Sequence, residues 1–246
     1  MLNRILFFIL YIGFTPSLFS QIHSYSNLVF NSNSFDAFVI KIENESLKNF
    51  EIIENKNKLT HRIFQDSISK DSSIFMINAG ICDSLFKPIG YLVNKAVLKK
   101  SINLDEGKGN FFLKPNGTFL ITDSVAFISE SSQLGNLVNV QYGLQSGPLL
   151  LQNGSMHPQF NSTSSNKNIR CGVGVFNVKE ESFVVFAISN SPVTFYEFAI
   201  FFNQKFNCQN ALCLESAGCV MEIPYTYKAT KNDKLTICNY LIYRTH

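Results

Sequence analysis

The segment QSGPLLLQNG (Gln145–Gly154) joins two polar residues, a Gly-Pro turn and a run of three leucines. A Gly-Pro pair redirects the chain, and Asn153-Gly154 is a second turn signal. Between the two turns, Leu149–Leu151 is typical of a short buried strand. A polar side chain is not stabilised by burial in a core strand. Gln145 and Ser146 therefore predict a functional site where a strand ends at the edge of a sheet.

The same texture of short apolar strands and Asn-, Ser- or Gly-rich turns extends outward from this segment in both directions. Two helices are expected, Leu59–Ser69 and Thr194–Phe206, and turn residues at 115–117 predict a hairpin between Phe111–Leu113 and Phe119–Ile121. No repeat or linker divides the chain. We therefore expect an α+β fold, a single sheet-rich domain of mostly antiparallel strands with a few packed helices, after an N-terminal signal segment. The strands with the clearest pattern are 38–42, 50–53, 73–77, 138–142, 149–151, 173–176, 183–188, 212–214 and 235–242.

Composition excludes two classes of protein. Of the 246 residues, 46% are hydrophobic and 16% are charged, which excludes a disordered chain. The net charge is +3 and the 21 basic residues are scattered, so no nucleic-acid partner is expected. With 24 phenylalanines and no tryptophan, most aromatic rings are expected in the core.

Residues 1–20 differ from the rest of the chain. Arg4 precedes the apolar run Ile5–Phe14, and Ser20 is a plausible cleavage point. This pattern predicts a signal peptide over 1–20, a domain over 21–246, and an exported protein that is periplasmic or extracellular. The alternative is an uncleaved anchor, since about 20 apolar residues span a bilayer. No other segment is apolar over such a length, so no membrane span beyond the signal segment is expected.

An exported protein can oxidise its cysteines, and an even number of them permits up to three bridges. The spacing here matches no zinc motif, so either mostly buried free thiols or one or two disulfides are favoured over metal binding. The six cysteines are Cys82, Cys171, Cys208, Cys213, Cys219 and Cys238.

Polar residues beside turns at strand ends are the candidates for chemistry. Arg170 lies between a Ser/Asn-rich loop and an apolar strand, where a guanidinium can bind phosphate with two parallel donors. The alternative is an exposed or salt-bridged arginine. No nucleophile elbow, P-loop, zinc-protease motif or dinucleotide fingerprint is present. The candidate residues are Asn78, Asp83, Asn110, Gln145, Ser146, Arg170 and Glu215.

Six ordered blocks resemble the phosphodiester glycosidase family, and in particular its short bacterial exported members. The likeness extends from about Asn78 to Met221. The blocks are INAGICD (77–83), KPIGYLV (87–93), GKGNFFLKPNGTF (107–119), QSGPLLLQNGSMHPQF (145–160), IRCGVGV (169–175) and FAISNSPVTFYEFA (186–199).

The resemblance implies hydrolysis of the bond between a sugar's anomeric carbon and a phosphodiester. It implies that Arg170 neutralises phosphate and, with Glu215 as general acid or base, forms the catalytic pair. The expected ligand is a sugar-phosphate or glycan, and the oligomeric state is left open. The resemblance also places the polar residues of the other blocks in the substrate pocket: Asn78, Asp83, Asn110, Gln145 and Ser146.

One block departs from the family pattern. Where the family has A-L-x-L-D-G-G, this chain has ALCLESAGCVM (211–221), so Glu215 replaces the aspartate, and Ser216 and Ala217 replace two glycines. The departure leaves a second hypothesis, a sugar-phosphate or glycan-binding relative that has lost turnover. A third is a structural envelope protein. The cofactor is unknown; no dedicated metal cluster is visible, but a divalent cation shared by Asp83 and Glu215 is left open.

Overall fold

The computed structural model describes residues 23–68, 74–135, 139–223 and 234–245. The predicted signal segment 1–20 lies outside the described residues. Within the described ranges the α-helices are α1 (Asn44–Lys48), α2 (His61–Ile68) and α3 (Phe195–Phe206), and 3₁₀ turns occur at 110–112 and 131–133. None of these helices is both long and apolar enough to cross a lipid bilayer.

The strands of the described residues are short, and most are bounded by turns. In chain order they are β1 (His23–Phe30), β2 (Asn33–Lys41), β3 (Phe50–Glu54), β4 (Ile74–Asn78), β5 (Leu92–Asn94), β6 (Val97–Lys100), β7 (Gly117–Thr122), β8 (Ala126–Glu130), β9 (Val140–Ser146), β10 (Leu149–Gln152), β11 (Ser155–Met156), β12 (Cys171–Val178), β13 (Glu181–Ser189), β14 (Asn210–Glu215), β15 (Met221–Glu222) and β16 (Asn239–Arg244).

These strands form three sheets, and all of their pairings are antiparallel. The seven-stranded sheet has the order β1-β2-β13-β12-β14-β10-β11, the four-stranded sheet β15-β4-β16-β3, and the five-stranded sheet β6-β5-β9-β7-β8. The expected α+β, sheet-rich architecture with few helices is confirmed.

The middle strands of the seven-stranded sheet are buried on both faces. In β13, Val184, Phe186 and Ile188 point into the core shared by the three sheets. The alternate residues Phe183 and Val185 point into a second core, under α3. Because successive side chains of a strand point to opposite faces, a strand covered on both sides reads as a continuous apolar run.

Helix α3 matches its prediction. Thr194 is the N-cap, with its hydroxyl accepting from the Glu197 N–H at 3.0 Å, and the Glu197 carboxylate accepts from the Thr194 N–H in return. This capping box satisfies two backbone donors that the first helical turn leaves unpaired. Phe198 and Phe202 then pack on the sheet. A Cβ at Gly172 would lie 2.7 Å from a backbone carbonyl oxygen and 3.1 Å from the Phe198 ring, so the packing requires glycine there.

Helix α2 begins at His61, within the predicted range 59–69, of which residue 69 lies outside the described residues. The buried His61 ring lies between two polar partners. Its Nε2 is 2.9 Å from Glu222 Oε1 and its Nδ1 is 3.1 Å from Tyr240 Oη. These contacts tie α2 to the four-stranded sheet, so this histidine has a structural use.

The predicted hairpin between Phe111–Leu113 and Phe119–Ile121 is wrong. Residues 110–112 form a 3₁₀ turn, in which the Leu113 N–H donates to the Asn110 carbonyl at 3.2 Å. Phe119–Ile121 does lie in a strand, β7, but β7 pairs with β8 and β9. The turn residues at 115–117 therefore do not join Phe111–Leu113 to β7 as a hairpin.

Of the cysteines, Cys82 and Cys238 form a disulfide, and the other four are buried and not bridged. The bond joins the loop after β4 to the residue before β16, across 156 positions of sequence. A cross-link that closes so long a loop restricts the unfolded chain strongly.

We expect the double variant Cys82→Ser/Cys238→Ser to lower the free energy of unfolding by about 2–5 kcal/mol. Urea unfolding followed by circular dichroism, with the wild type in parallel under non-reducing conditions, measures the change. An unchanged midpoint in the double variant would show that the cross-link contributes nothing.

We expect Gly172→Ala to destabilise the fold by about 1–3 kcal/mol, because the new methyl meets a backbone oxygen that has no room to move. Gly135→Ala is the matched control, since no atom lies within 4 Å of a Cβ added there. Thermal unfolding of both variants distinguishes the close approach from a general effect of replacing glycine.

Candidate functional site

The turn at residues 215–220 begins with the last residue of β14 and lies close to the ends of several other strands. Asn78, the last residue of β4, donates from Nδ2 to the Gly218 carbonyl at 3.0 Å and accepts at Oδ1 from the Val220 N–H at 2.8 Å. The same Oδ1 accepts from the Cys171 thiol at 3.4 Å. One buried amide thus connects β4, the 215–220 turn and the first residue of β12.

Two further predicted residues contact this region. Ser146, the last residue of β9, donates from Oγ to the Leu214 carbonyl at 3.1 Å. Asn110 donates from Nδ2 to Ser216 Oγ. Four predicted site residues, Asn78, Asn110, Ser146 and Glu215, therefore meet at or beside the 215–220 turn.

The Glu215 carboxylate is held at the start of its own turn. Oε1 accepts from the Ser216 N–H at 2.7 Å and from the Ala217 N–H at 3.3 Å. In the ladder between β12 and β14, Glu215 is the partner of Cys171, so it lies one residue from Arg170 in register. The side chain is half-buried, which leaves it accessible from solvent.

Arg170 is buried, with 1% of its surface exposed. Its Nε donates to the Val193 carbonyl at 2.8 Å and its Nη2 donates to the Asn166 carbonyl at 2.9 Å. Nη1 has no hydrogen-bond partner among the described residues. Burial lowers the pKa of the Arg170 guanidinium, while Cys213, Cys219 and Glu197 act in the opposite direction.

The guanidinium is the last layer of an aromatic stack. Its Cζ lies 3.5 Å from the centre of the Phe195 ring. Phe195 stacks on Phe160 at 5.3 Å, and Phe160 stacks on His157 at 4.6 Å. Burial lowers the pKa of His157, so the imidazole is favoured as a neutral ring in this stack. The stack fixes the plane of the guanidinium.

A cavity of about 210 Å³ lies near these residues; Asn110 is the one predicted site residue in its lining, and Arg170 and Glu215 do not line it. Asn110, which binds Ser216, forms part of its wall, and so do Asn166 and Phe195, which contact Arg170. Phe160 and Asn161 complete a lining of amides and aromatic rings. The lining by Phe160, Asn161, Ser164, Asn166 and Phe195 was not predicted from the sequence, although the Asn/Ser-rich loop before Arg170 contains several of these residues.

Gln145 has another use in this structure. The side chain is 2% exposed, and its Oε1 accepts from the Tyr91 and Asn103 N–H groups, both at 2.9 Å. Its Nε2 donates to the Asn103 carbonyl at 2.7 Å. Gln145 therefore holds Tyr91 and Asn103, which flank the β5–β6 hairpin, against β9, and its amide is not among the lining groups of the cavity.

The Asp83 carboxylate accepts hydrogen bonds within its own loop. Its Oδ1 accepts from the Leu85 N–H at 2.8 Å and from the Lys87 N–H at 2.9 Å. Asp83 is exposed, and Glu215 is engaged by a different turn. Within the described ranges, no group of three or more His, Cys, Asp and Glu side chains is arranged to hold a metal ion.

A second, larger cleft of about 540 Å³ opens at the other ends of β12 and β13, lined by residues such as Lys41, Phe127, Asn177 and Glu181. None of the predicted site residues lines it. The candidate site is therefore the smaller cavity, whose lining includes Asn110 and two contacts of Arg170, Asn166 and Phe195.

Two solved structures are similar to this one. The first is the catalytic domain of zebrafish N-acetylglucosamine-1-phosphodiester alpha-N-acetylglucosaminidase, with a TM-score of 0.59 and 12% identity over 91% of this chain and 82% of that one. The second is a hypothetical protein from Synechocystis, with a TM-score of 0.54 and 11% identity over 91% and 61%. At such identities the likeness shows a common fold.

Sequence comparison gives a closer relation. The Escherichia coli (strain K12) protein YigE, itself uncharacterized, is 30% identical over 155 residues, which are 63% of this chain and 60% of YigE. The match thus spans less than two thirds of that relative. The sequence profile described as phosphodiester glycosidase matches residues 71–218, which include all the predicted site residues. Because this match covers more than half of the sequence, the chain belongs to the phosphodiester glycosidase family.

Proposed function

We propose that the protein hydrolyses the bond between the anomeric carbon of a sugar and a phosphodiester, and that the cavity beside Arg170 is where the substrate binds. Membership of the phosphodiester glycosidase family supports the reaction class. The similar zebrafish structure is that of an N-acetylglucosamine-1-phosphodiester alpha-N-acetylglucosaminidase. The sugar and the group on the other side of the phosphate are left unassigned.

The observation that carries the proposal is the charge of Arg170. A buried guanidinium without an ion-pair partner is costly, because the lost hydration is not replaced by a counter-charge. Nη1 is left without a partner among the described residues, and two residues that contact the guanidinium, Asn166 and Phe195, line the cavity. A phosphate diester supplies the missing negative charge and an acceptor oxygen for that donor.

The lining of the cavity suits a sugar. Asn110, Asn161 and Asn166 offer amide donors and acceptors for hydroxyl groups. Phe160 and Phe195 offer apolar ring surface for the C–H face of a pyranose. Pockets that bind small polar ligands combine such apolar walls with a few convergent polar groups.

Glu215 is the proposed general acid or base. Its Oε1 is fixed by two N–H groups of its own turn, so the direction of the carboxylate is set before substrate binds. Protonation of the departing oxygen, or activation of the attacking water, requires such a group within hydrogen-bond distance of the reacting atoms. Arg170 stabilises the negative charge on the phosphate throughout.

A second function, ligand binding without turnover, is favoured by one observation. The carboxylate is engaged by the backbone of its own turn, where Ser216 and Ala217 replace the two glycines of the family pattern. Side chains at these positions narrow the approach of a ligand to the backbone. Under this alternative the protein binds a sugar-phosphate or glycan and Glu215 performs no chemistry.

We also propose that residues 1–20 are a signal peptide and that residues 21–246 form the exported domain. The basic start and short apolar run support this. The disulfide between Cys82 and Cys238 supports it independently, since such bonds persist in oxidising compartments.

We expect the purified protein to release sugar from UDP-sugars or chromogenic sugar-1-phosphodiesters, and Glu215→Gln to lower the rate at least about 10²-fold with little change in binding. Sugar release is measured chromatographically, with and without added divalent cation. Glu181→Gln, at an exposed site lining the larger cleft, is the control. Wild-type binding without release from any substrate of a broad panel would favour the second function.

We expect Arg170→Met to remove detectable binding of a sugar-1-phosphate under both functions, because the ligand loses its counter-charge. Isothermal calorimetry measures the affinity, and circular dichroism checks that the variant is folded. Arg170→Lys keeps the charge but loses the planar fork, so weaker binding is expected. Unchanged affinity in a folded Arg170→Met protein would remove the basis of the proposed site.

A further inference from the structure

Three buried thiols lie around the 215–220 turn, and two of them contact the Glu215 carbonyl; the proposed chemistry uses none of them. Cys213 donates to this oxygen at 3.3 Å and Cys219 at 3.2 Å. Cys219 also lies 3.2 Å from the Ile169 carbonyl, its second acceptor. Cys171 donates to Asn78 Oδ1 on the other side. The cluster therefore lies between the 215–220 turn and the start of β12.

Within this cluster, the backbone brings Cys171 and Cys219 onto contacting segments. Cys171 is the ladder partner of Glu215, and Cys219 Sγ lies 3.2 Å from the carbonyls of both Glu215 and Ile169. Asn78 Oδ1 also bridges the two segments, because it accepts from the Cys171 thiol at 3.4 Å and from the Val220 N–H at 2.8 Å. A disulfide joins Cα atoms about 4.4–6.8 Å apart, so cysteines on contacting segments are suitable candidates.

The exposed fractions of Cys171 and Cys219 indicate which of the two thiols reacts first. Cys219 is 6% exposed and follows the exposed Ala217, whereas Cys171 and Cys213 are 0% exposed. Burial is the main cause that raises the pKa of both Cys171 and Cys213, which keeps them as neutral thiols and poor nucleophiles. Cys219 is therefore the thiol that an external reagent reaches first.

We propose that Cys171 and Cys219 form an oxidation site, at which a disulfide ties the 215–220 turn to the first residue of β12. The oxidant is an external disulfide, either of low molecular weight or in the active site of a thiol oxidase. The Cys219 thiolate attacks one sulfur of that disulfide and displaces a thiolate. Cys171, losing its proton to the second departing thiolate, then attacks the Cys219 sulfur. Two protein thiols are oxidised and one external disulfide is reduced to two thiols.

The bond would change the hydrogen bonds of the turn. Asn78 Oδ1 loses the thiol donor of Cys171 but keeps the Val220 N–H. The Glu215 carbonyl loses Cys219 and keeps Cys213. A covalent link between the 215–220 turn and the first residue of β12 thus replaces two weak S–H hydrogen bonds. The inference goes beyond the proposed hydrolysis and does not depend on it.

Tryptic digestion separates the two cysteines. Cleavage after Arg170 and Lys179 gives the peptide 171–179, which contains Cys171, and cleavage after Lys205 and Lys228 gives 206–228, which contains Cys219. The full chain, purified with reductant present and then freed of it, is incubated with glutathione disulfide, denatured, alkylated and digested without reductant. We expect mass spectrometry to show 171–179 linked to 206–228, and two fewer alkylated thiols.

Single variants identify the partner within 206–228, which also contains Cys208 and Cys213. We expect Cys219→Ser to abolish the linkage, while Cys208→Ser and Cys213→Ser retain it. The serine hydroxyl preserves a donor at each site, so folding is checked for all three by thermal unfolding. As a second readout, oxidation is expected to raise the urea midpoint of the wild type and not that of Cys219→Ser.

Two results would overturn the inference. One is an internal disulfide within 206–228, which would pair Cys213 or Cys208 with Cys219 instead. The other is a set of alkylated thiols that stays unchanged after oxidation. Because neither measurement involves a substrate, failure of the oxidation site and failure of the proposed hydrolysis are told apart.

Discussion

The side chain of Asn78 is the constraint on which the candidate site depends. Its amide joins β4 to both ends of the Gly218–Val220 segment and also accepts from Cys171. These three segments come from distant parts of the chain and from two sheets. A buried amide that satisfies backbone groups on a turn fixes that turn where no regular ladder reaches it. Asn78 thus holds the 215–220 turn beside the start of β12, whose ladders with β13 and β14 position Cys171 and Glu215.

The electrostatics of the candidate site depend on Arg170, a buried cation that forms no ion pair with the described residues and is offset only by the more distant charge of Glu197. The aromatic stack on Arg170 sets its plane, and two backbone carbonyls occupy Nε and Nη2. Proteins seldom bury a guanidinium in this way unless another group completes its interactions. The proposed anionic ligand would complete these interactions, and the amides of Asn110 and Asn166, which line the proposed cavity, suit its neutral part.

Local patterns predicted the elements whose causes are local. The helix ending at Phe206 was predicted because its start signal and apolar spacing lie within a few residues. The hairpin of Phe111–Leu113 was wrong because a turn signal does not say which strand becomes the partner. Gln145 shows the same difficulty. A polar side chain at a strand end can bind a ligand or satisfy an unpaired backbone group, and the sequence does not distinguish the two; here it binds the Tyr91 and Asn103 N–H groups. The burial of Arg170 under Phe195 depends on tertiary contacts that no sequence spacing encodes.

The order of strands in the four-stranded sheet also determines when the site can assemble. Both neighbours of β4 come from much later in the sequence, β15 at residues 221–222 and β16 at 239–244. A nascent chain that has emerged only as far as Arg170 has no partner for β4 and no turn for Asn78 to hold. The 215–220 turn is consequently fixed late in synthesis, because Asn78 can hold it only after residues 218–220 have been made.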